Sequence, residues 1–395
     1  MMDRIKQITS ENNQEILEIR RHLHANPELS FKEYETSKYI CSVLDKWGIP
    51  YKNGYVETGI VVHIQGRNPT SKVIALRGDM DALPILEEND VPYCSTNKGV
   101  MHACGHDVHT SCVMGVAKAL SELKDEFEGT AKIIFQPGEE RLPGGASLMI
   151  KEGALENPKA SSIVGQHVLP ELEIGKVGFR KGMYMASADE IHFTVKGKGG
   201  HAALPHYNID PVLITSHIIV ALQQVVSRRT KPGVPCVVSF GHVIADGATN
   251  VIPDEVVVQG TFRTMDEEWR MEAHAIMKKM AEDITSSMGG SCDFRVDMGY
   301  PFVYNDEDVT AFAEARAKEY LGDGNVVELD MRMTGEDFSF YTQHMPGCFY
   351  RLGTGNKTKG ITSGLHTSTF NVDEKCLEVG TGLLTYIAHQ QLVQP

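Results

Sequence analysis

Three apolar runs in the first half of the chain are each followed at once by a polar motif. Residues 73–76 lead into RGDMDALP, residues 133–135 lead into QPGEE, and residues 163–164 lead into QHVLP. Short apolar runs that alternate with helical stretches are typical of strands buried in a parallel sheet. Ligand sites of such sheets lie beyond the carboxyl ends of the strands. We therefore expect an α/β fold in which the three motifs converge on one crevice.

A fourth polar motif, HACGHD, begins a helical stretch in which Val108, Cys112, Val116 and Leu120 form one apolar stripe. The pattern changes near residue 186 to alternating strands and two helices, which is typical of a small α+β sandwich. The helix–strand alternation resumes near residue 300. At 395 residues the chain also exceeds the usual size of a single core. We predict an α/β, mostly parallel-sheet domain built from residues 1–185 and 300–395, with a smaller α+β domain, 186–299, inserted into it.

The charge balance argues against two classes of partner. With 52 acidic and 38 basic residues, the formal net charge is −14. Nucleic acids and anionic membrane surfaces both select basic faces, so neither is expected as a partner. The eight cysteines are scattered without a C-x-x-C pair, and no apolar stretch suits a secretory signal or a membrane helix. These features predict a cytoplasmic protein with reduced thiols.

Thiol, imidazole and carboxylate groups accumulate in and after these motifs. Such groups are the usual ligands of zinc-like divalent ions. One tetrahedral ion needs four ligands, so a larger set is better explained by two ions that share a bridging ligand. The candidates are Cys104, His106, Glu139 or Glu140, His167 and, near the carboxyl end, His366.

The adjacent carboxylates Glu139 and Glu140 are not expected to point at the same ion. One would bind metal while the other holds the attacking water and moves its proton. Simpler roles are open for the neighbouring residues: His102 and His109 could be merely polar, and Cys112, on the apolar stripe, is expected in the core. Taken alone, Cys104 is more often a packing residue than a ligand.

Other catalytic signatures are missing from the sequence. It contains no G-x-S-x-G nucleophile elbow, no Walker loop and no G-x-G-x-x-G fingerprint. The RGD at residues 77–79 follows a buried run and is not expected to act in adhesion. Paired metals with a carboxylate base are the catalytic apparatus that the residues support.

Taken together, these motifs resemble the metallopeptidase family that contains aminoacylase, carboxypeptidase G, succinyl-diaminopimelate desuccinylase and hippurate hydrolase. The amidohydrolase subgroup, with N-acetyl-diaminopimelate deacetylase and the auxin–amino-acid hydrolases, is the most similar. The resemblance runs nearly end to end through RRHLHANPELSFKEYET, ALRGDMDALPI, HACGHDVH, FQPGEE, GQHVLP, GKGGHAALPH, NVIPDEVVVQGTFRT, GEDFSFY and LHTS.

The resemblance implies a catalytic domain that binds two divalent ions, zinc, manganese, cobalt or nickel. It implies that Glu139 is the general acid/base and that Cys104 bridges the ions. The wider family has a His-x-Asp motif where this chain has Asp79-Met80-Asp81, and an aspartate in place of Cys104. Asp81 is then expected to orient a ligand imidazole. The implied metal ligands are Cys104, His106, Glu140, His167 and His366.

For the inserted domain, the resemblance implies a lid that also mediates homodimerisation. His201 resembles a histidine that reaches into the partner subunit's site and stabilises the oxyanion. Asn250 and Arg263 resemble residues that hold the free carboxylate of the substrate.

These expectations define an N-acyl-amino-acid amidohydrolase that acts on a small-molecule substrate. A dipeptidase or aminopeptidase on the same scaffold is the alternative enzyme. A catalytically silent binding protein is the alternative from another class, and a silent relative should have lost the base or a ligand. A redox sensor based on Cys104 is a third hypothesis, although no resolving cysteine lies at a suggestive spacing.

Overall fold

The computed structural model describes residues 1–393, which divide into two compact units. The first unit contains Met1–Tyr184, Tyr304–Met331 and the chain from Asp337 onward. The second contains Met185–Val303 together with Arg332–Glu336, a short return that no sequence pattern indicated. Within residues 1–393, no helix has the length and apolar character needed to cross a membrane.

The helices in chain order are α1 (Met2–Ala25), α2 (Tyr34–Trp47), α3 (His106–Glu122), α4 (Gly145–Lys151), α5 (Pro211–Gln224), α6 (Glu267–Ser287), α7 (Glu307–Leu321), α8 (Ser339–Thr342) and α9 (Cys376–Val393). The strands are β1 (Tyr51–Tyr55), β2 (Gly59–Gln65), β3 (Val73–Asp79), β4 (Thr130–Gln136), β5 (Ser162–Glu173), β6 (Val177–Phe179), β7 (Gly182–Met185), β8 (Asp189–Lys196), β9 (Gly200–His201), β10 (Cys236–Ile244), β11 (Val251–Ile252), β12 (Glu255–Thr264), β13 (Ser291–Asp297), β14 (Val303–Asn305), β15 (Val326–Glu328) and β16 (Gly347–Gly355).

A large sheet forms the centre of the first unit, with the strand order β1-β2-β4-β3-β5-β16-β6-β15. The four central strands β4, β3, β5 and β16 run parallel to one another. Every residue of β3, β4 and β16 is buried, as expected for apolar strands covered on both faces. The predicted α/β fold with a mostly parallel sheet is therefore confirmed.

Helices α1, α3 and α9 pack together beside this sheet and form the core of the first unit. The predicted stripe on α3 is fully buried, including Cys112. The helix nevertheless has no exposed face along its first three turns, since residues 106–117 are all buried. Because this part of α3 is buried on every side, His106 and His109 at its amino end lie in the interior.

The second unit is built on an antiparallel sheet with the order β10-β12-β8-β13. Helices α5 and α6 pack against the sheet, where Ile191 and Phe193 of β8 meet Ile214 and Ile218 of α5 in one apolar cluster. Strand β10 forms one edge of this sheet. The lid and dimerisation roles expected for this part of the chain remain predictions.

Candidate metal centre

A glycine turn directs the first two candidate ligands into the first unit. Gly105 precedes α3 with φ +82°, and a Cβ at this position would lie 2.5 Å from Cγ2 of Val168. Glycine is therefore required here both by the backbone angle and by the close packing. The turn places Cys104 and His106 in the interior, with both side chains almost completely buried.

The five side chains predicted as ligands come together in the first unit. The sulfur of Cys104 lies 3.4 Å from Nε2 of His167 and 3.4 Å from Nε2 of His366. Oε1 of Glu140 lies 3.3 Å from Nε2 of His366 and 3.9 Å from Nε2 of His106. Two clusters of potential ligand atoms, Cys104–His106–His167 and Cys104–Glu140–His366, share the thiol. That geometry suits a sulfur that bridges two ions.

Two buried atoms at this centre have no hydrogen-bond partner within the described residues, namely Nε2 of His106 and Oε1 of Glu140. A buried polar atom without a partner costs about 1–3 kcal/mol. A divalent cation would satisfy both atoms, and the thiol, imidazole and carboxylate donors match the preferences of zinc-like ions. The residues present therefore fit a dinuclear metal centre.

The electrostatics of the protein alone leave protons on two candidate ligands. Burial raises the pKa of the Cys104 thiol well above its usual range, and the carboxylates of Glu140 and Glu139 raise it further. Burial lowers the pKa of His106, but the carboxylates Asp79 and Asp81 outweigh it and raise that pKa to about 10. Metal ligands bind in their deprotonated forms, so metal binding here must release protons.

The carboxylates of the two adjacent glutamates lie close together. Carboxylate oxygens of Glu139 and Glu140 and a ring nitrogen of His106 all lie within 4.8 Å of one another. The expectation that the two carboxylates do not point at the same ion stays a prediction. A turn carries them, in which Gly138 has φ +64°, and this turn removes the alternation that an extended strand would impose. A water molecule held between the two carboxylates would contact both.

Asp81 contacts a candidate ligand imidazole, as the orienting role implied by the resemblance would require. Its Oδ1 lies 3.2 Å from Nδ1 of His106, which leaves Nε2 of that ring to face the centre. The same carboxylate accepts hydrogen bonds from the backbone N–H of Glu139, at 3.0 Å, and of Glu140, at 2.9 Å. Asp81 thus fixes a candidate ligand imidazole and the glutamate loop together.

His109 has a defined role that sequence reasoning left open. Its Nδ1 lies 2.6 Å from Oδ1 of Asp79, and its Nε2 accepts a hydrogen bond from the backbone N–H of Val168 at 2.9 Å. Both nitrogens are therefore engaged, and His109 links β3 to β5. His102 is also buried, and burial lowers its pKa to about 4, so the ring is neutral.

A buried polar network that sequence reasoning missed lies beneath the glutamate loop. Arg77 donates to Asp79 at 2.5 Å, to Asp337 at 2.7 Å and to Gln136 at 2.9 Å. The backbone N–H of Asp337 in turn donates to Oε1 of Glu139 at 3.3 Å. The signals were present in the sequence as the charged residues of the RGD and GEDFSFY motifs, beside apolar runs.

The three candidate residues of the inserted segment lie in the second unit. His201 is exposed on β9, where its Nδ1 accepts from the backbone N–H of Ala203 at 3.1 Å. Asn250 lies beside it, because its carbonyl accepts from the N–H of Ala202 at 3.0 Å. Arg263 lies on a different strand, β12, and its Nε donates to Thr261 at 3.0 Å. The roles expected for these three residues remain predictions.

Comparison with known proteins identifies relatives along almost the whole chain. Residues 75–390 match the description Peptidase family M20/M25/M40. The chain is 40% identical over 303 residues to an N-acyl-L-amino acid amidohydrolase of Geobacillus stearothermophilus, covering 77% of this chain and 81% of that protein. It is 38% identical over 383 residues to thermostable carboxypeptidase 2 of Saccharolobus solfataricus, covering 96% of each.

A solved structure shares the fold. The YXEP protein of Bacillus subtilis, described as a dinuclear metal binding peptidase from the M20 family, superimposes with a TM-score of 0.83 at 34% identity. The match covers 97% of this chain and 99% of that one.

Proposed function

The chain belongs to peptidase family M20/M25/M40, whose members are metal-dependent hydrolases of amide bonds, and we propose that its substrates are N-acyl-amino acids. The N-acyl-L-amino acid amidohydrolase at 40% identity supports this substrate class. The reaction would release the acyl group as a carboxylate and the amino acid with a free amine.

The observation that carries the proposal is the thiol shared by two ligand clusters, beside a pair of glutamates. Cys104, His106, Glu140, His167 and His366 would hold two divalent ions. Ions bound there would supply Lewis acidity and lower the pKa of water from 15.7 toward about 7. We favour zinc, manganese, cobalt or nickel because the donors are thiol, imidazole and carboxylate.

Glu139 is proposed as the general acid/base. Its side chain is almost fully buried, and one carboxylate oxygen is held by the N–H of Asp337. The carboxylate would take a proton from the attacking water and then deliver it to the nitrogen of the leaving amine. Proton transfer by a positioned side chain contributes about 10²–10⁴-fold in rate.

His201, Asn250 and Arg263 are proposed to recognise the substrate. The ring of His201 is exposed and can donate to a developing oxyanion, a contribution of about 3–4 kcal/mol in comparable sites. The guanidinium of Arg263 can bind a free carboxylate through two parallel hydrogen bonds, which lysine does not reproduce. Asn250 would add an amide donor to the same carboxylate.

We also propose a homodimer formed through the second unit. Strand β10 is an edge strand, and α5 exposes Leu213 and Val220, the latter with 73% of its surface accessible. Exposed apolar side chains and edge strands are both typical of surfaces that pair with another chain. The expected partner is a second copy of this chain, and sedimentation analysis of the wild type and of Val220→Asp tests the proposal.

A cytoplasmic location is the setting that we propose for the enzyme. All eight cysteines are free thiols, and Cys104 is one of those that are buried. A thiol that must bind metal is protected in a reducing compartment. Fractionation of the native host cells, with the protein detected by antibody, tests this location.

A peptidase is the second candidate, since thermostable carboxypeptidase 2 is 38% identical. The deciding experiment is a hydrolysis screen of the metal-reconstituted enzyme over N-acetyl-amino acids, N-benzoyl-amino acids, the same compounds with an amidated carboxylate, and dipeptides. We expect the highest kcat/KM for N-acyl-amino acids with a free carboxylate. Faster hydrolysis of dipeptides would favour the peptidase, and absence of metal-dependent hydrolysis of any amide would reject both.

A further inference from the structure

The loop that carries Glu139 and Glu140 is held by two buried carboxylates. Asp81 accepts the backbone N–H groups of Glu139 and Glu140. The preceding N–H, of Gly138, donates at 2.9 Å to Oε1 of Glu33. The three successive N–H groups of residues 138–140 are thus bound by the side chains of Asp81 and Glu33. Glu33 lies far in sequence from the motifs that contain the candidate metal ligands.

Glu33 is completely buried, and both of its carboxylate oxygens accept further hydrogen bonds. Its Oε1 also accepts from the N–H of Phe31 at 2.8 Å, and its Oε2 accepts from the hydroxyl of Thr58 at 2.9 Å. Burial raises its pKa to about 7, with a further increase from the nearby charge of Asp81. Burial of an acid costs free energy, because removal from water disfavours its charged form. A buried acid is therefore expected to have a role in the protein.

Phe31 holds the same glycine from the other side. A Cβ at Gly138 would lie 2.3 Å from the ring of Phe31, so the ring packs directly on the loop backbone. Phe31 adopts φ +63°, a conformation that costs a non-glycine residue roughly 1–3 kcal/mol. The strained turn is compensated by the bond from its own N–H to Glu33. Ser30 completes the arrangement, since its hydroxyl donates to Asp81 at 2.6 Å.

We propose that Glu33 is a positioning residue for the amide-hydrolysis site, which sets the placement of Glu139 by binding the N–H of Gly138. The inference rests on the proposed role of Glu139. Asp81 binds the loop at Glu139 and Glu140, whereas Glu33 and Phe31 hold its beginning at Gly138. A displacement of about 1 Å in a catalytic group can cost 10²-fold in rate, so the position of Gly138 matters for turnover.

Three variants separate this role from general stability. Glu33→Asp withdraws the carboxylate by about one carbon–carbon bond, roughly 1.5 Å, and so releases Gly138. Glu33→Gln has a side chain of the same length with an acceptor oxygen, so it should retain the hydrogen bond from the N–H of Gly138. Thr58→Val removes a neighbouring hydrogen bond to the same carboxylate without touching Gly138, and serves as the matched control.

Two measurements are made on each folded variant: steady-state kinetics after metal reconstitution, and hydrogen exchange in the metal-free protein. With an N-acyl-amino acid substrate, we expect Glu33→Asp to lower kcat about 10- to 100-fold with KM within about threefold, and Glu33→Gln and Thr58→Val to stay within about threefold of wild type. Hydrogen exchange of the backbone amides of residues 138–140, followed in the metal-free protein, should accelerate at least about tenfold in Glu33→Asp alone.

Hydrogen exchange and kcat that both stay unchanged in Glu33→Asp would overturn the inference. A fall in kcat in Thr58→Val as large as that in Glu33→Asp would overturn it as well. Should Glu33→Asp fail to fold, Phe31→Leu loosens the same glycine from the other side and must show the same faster exchange. The exchange measurement needs no substrate, so the inference can be judged even if wild-type protein proves inactive on N-acyl-amino acids, which would reject the proposed function separately.

Discussion

The sulfur of Cys104 lies 3.4 Å from Nε2 of His366, which follows it 262 residues later in the chain. His366 adopts φ +59°, and its backbone N–H donates to the carbonyl of Ala103 at 2.9 Å. The two segments are therefore tied together by the backbone as well as by the side chains. The set of candidate ligands is complete only when the last part of the first unit has folded onto the turn before α3.

Replacement of Glu139 tests the acid/base role. Glu139→Gln keeps the shape of the side chain but cannot accept a proton, so we expect kcat to fall by about 10²–10⁴-fold with the bound metal retained. The measurement pairs steady-state kinetics with metal analysis. Glu171→Gln, at an exposed position, is the matched control and should behave as wild type. Near-normal turnover in Glu139→Gln would remove Glu139 from its role.

Mixed dimers test whether His201 acts in the partner subunit's site. Glu139→Gln and His201→Ala should each be nearly inactive alone. When the two variants are co-expressed and mixed dimers are purified, one of the two sites regains both groups, and we expect activity to return to as much as about half of wild type. Mixed dimers that stay inactive would show that His201 acts within its own chain or not at all.

The network around Arg77 should be essential for stability. Arg77→Met leaves the carboxylates of Asp79 and Asp337 buried without their shared cation, and loss of one partner from a buried ion pair costs about 3–5 kcal/mol. We expect a loss of this order in the free energy of unfolding, measured by urea denaturation. The exposed Arg67→Met is the control, with an expected change below about 0.5 kcal/mol. Equal stability of both variants would contradict the role of the network.

The second unit provides a test of pH dependence. Burial raises the pKa of Asp189, but hydrogen bonds from Arg270 and His274 outweigh it and lower the pKa to about 2. A carboxyl whose pKa is depressed on folding stabilises the protein above its ordinary pKa, near 3.8, and loses this contribution as the pH falls toward 2. The contribution is about 2 kcal/mol at neutral pH.

Asp189→Asn should therefore destabilise the protein at pH 7 and less at pH 2, where about half of the wild-type carboxyl groups are also protonated. Denaturant unfolding at a series of pH values, followed by the fluorescence of Trp47 in α2 and Trp269 in α6, gives the difference. A difference in the free energy of unfolding that does not narrow below pH 4 would contradict this assignment.

The five candidate ligands could be predicted to meet because their chemistry is unusual. Cysteine, histidine and glutamate side chains seldom accumulate at the ends of apolar runs unless they bind an ion, whereas the role expected for Asp81 was implied only by the family resemblance. The parallel sheet was predictable because the apolar runs 73–76 in β3 and 133–135 in β4 have to be covered on both faces.

Other features depended on contacts that no local pattern encodes. Glu33 and Gly138 meet only after folding, and an acidic residue before a helix is expected to be solvated. Arg77 and Asp337 are separated by 260 residues, so their pairing has no sequence signal of its own. The carboxylates of Glu139 and Glu140 lie close together on a turn in which Gly138 has a positive φ, and sequence alone does not distinguish this turn from an ordinary one.

The most direct test of the dinuclear centre is metal analysis by mass spectrometry of protein reconstituted with zinc or manganese and freed of excess ion. We predict two ions per chain in the wild type, and markedly lower content in Cys104→Ser, because a hydroxyl is a poor replacement for a bridging thiolate. Cys94→Ser, outside the centre, should retain both ions. One ion or none in the wild type, or full occupancy in Cys104→Ser, would contradict the account.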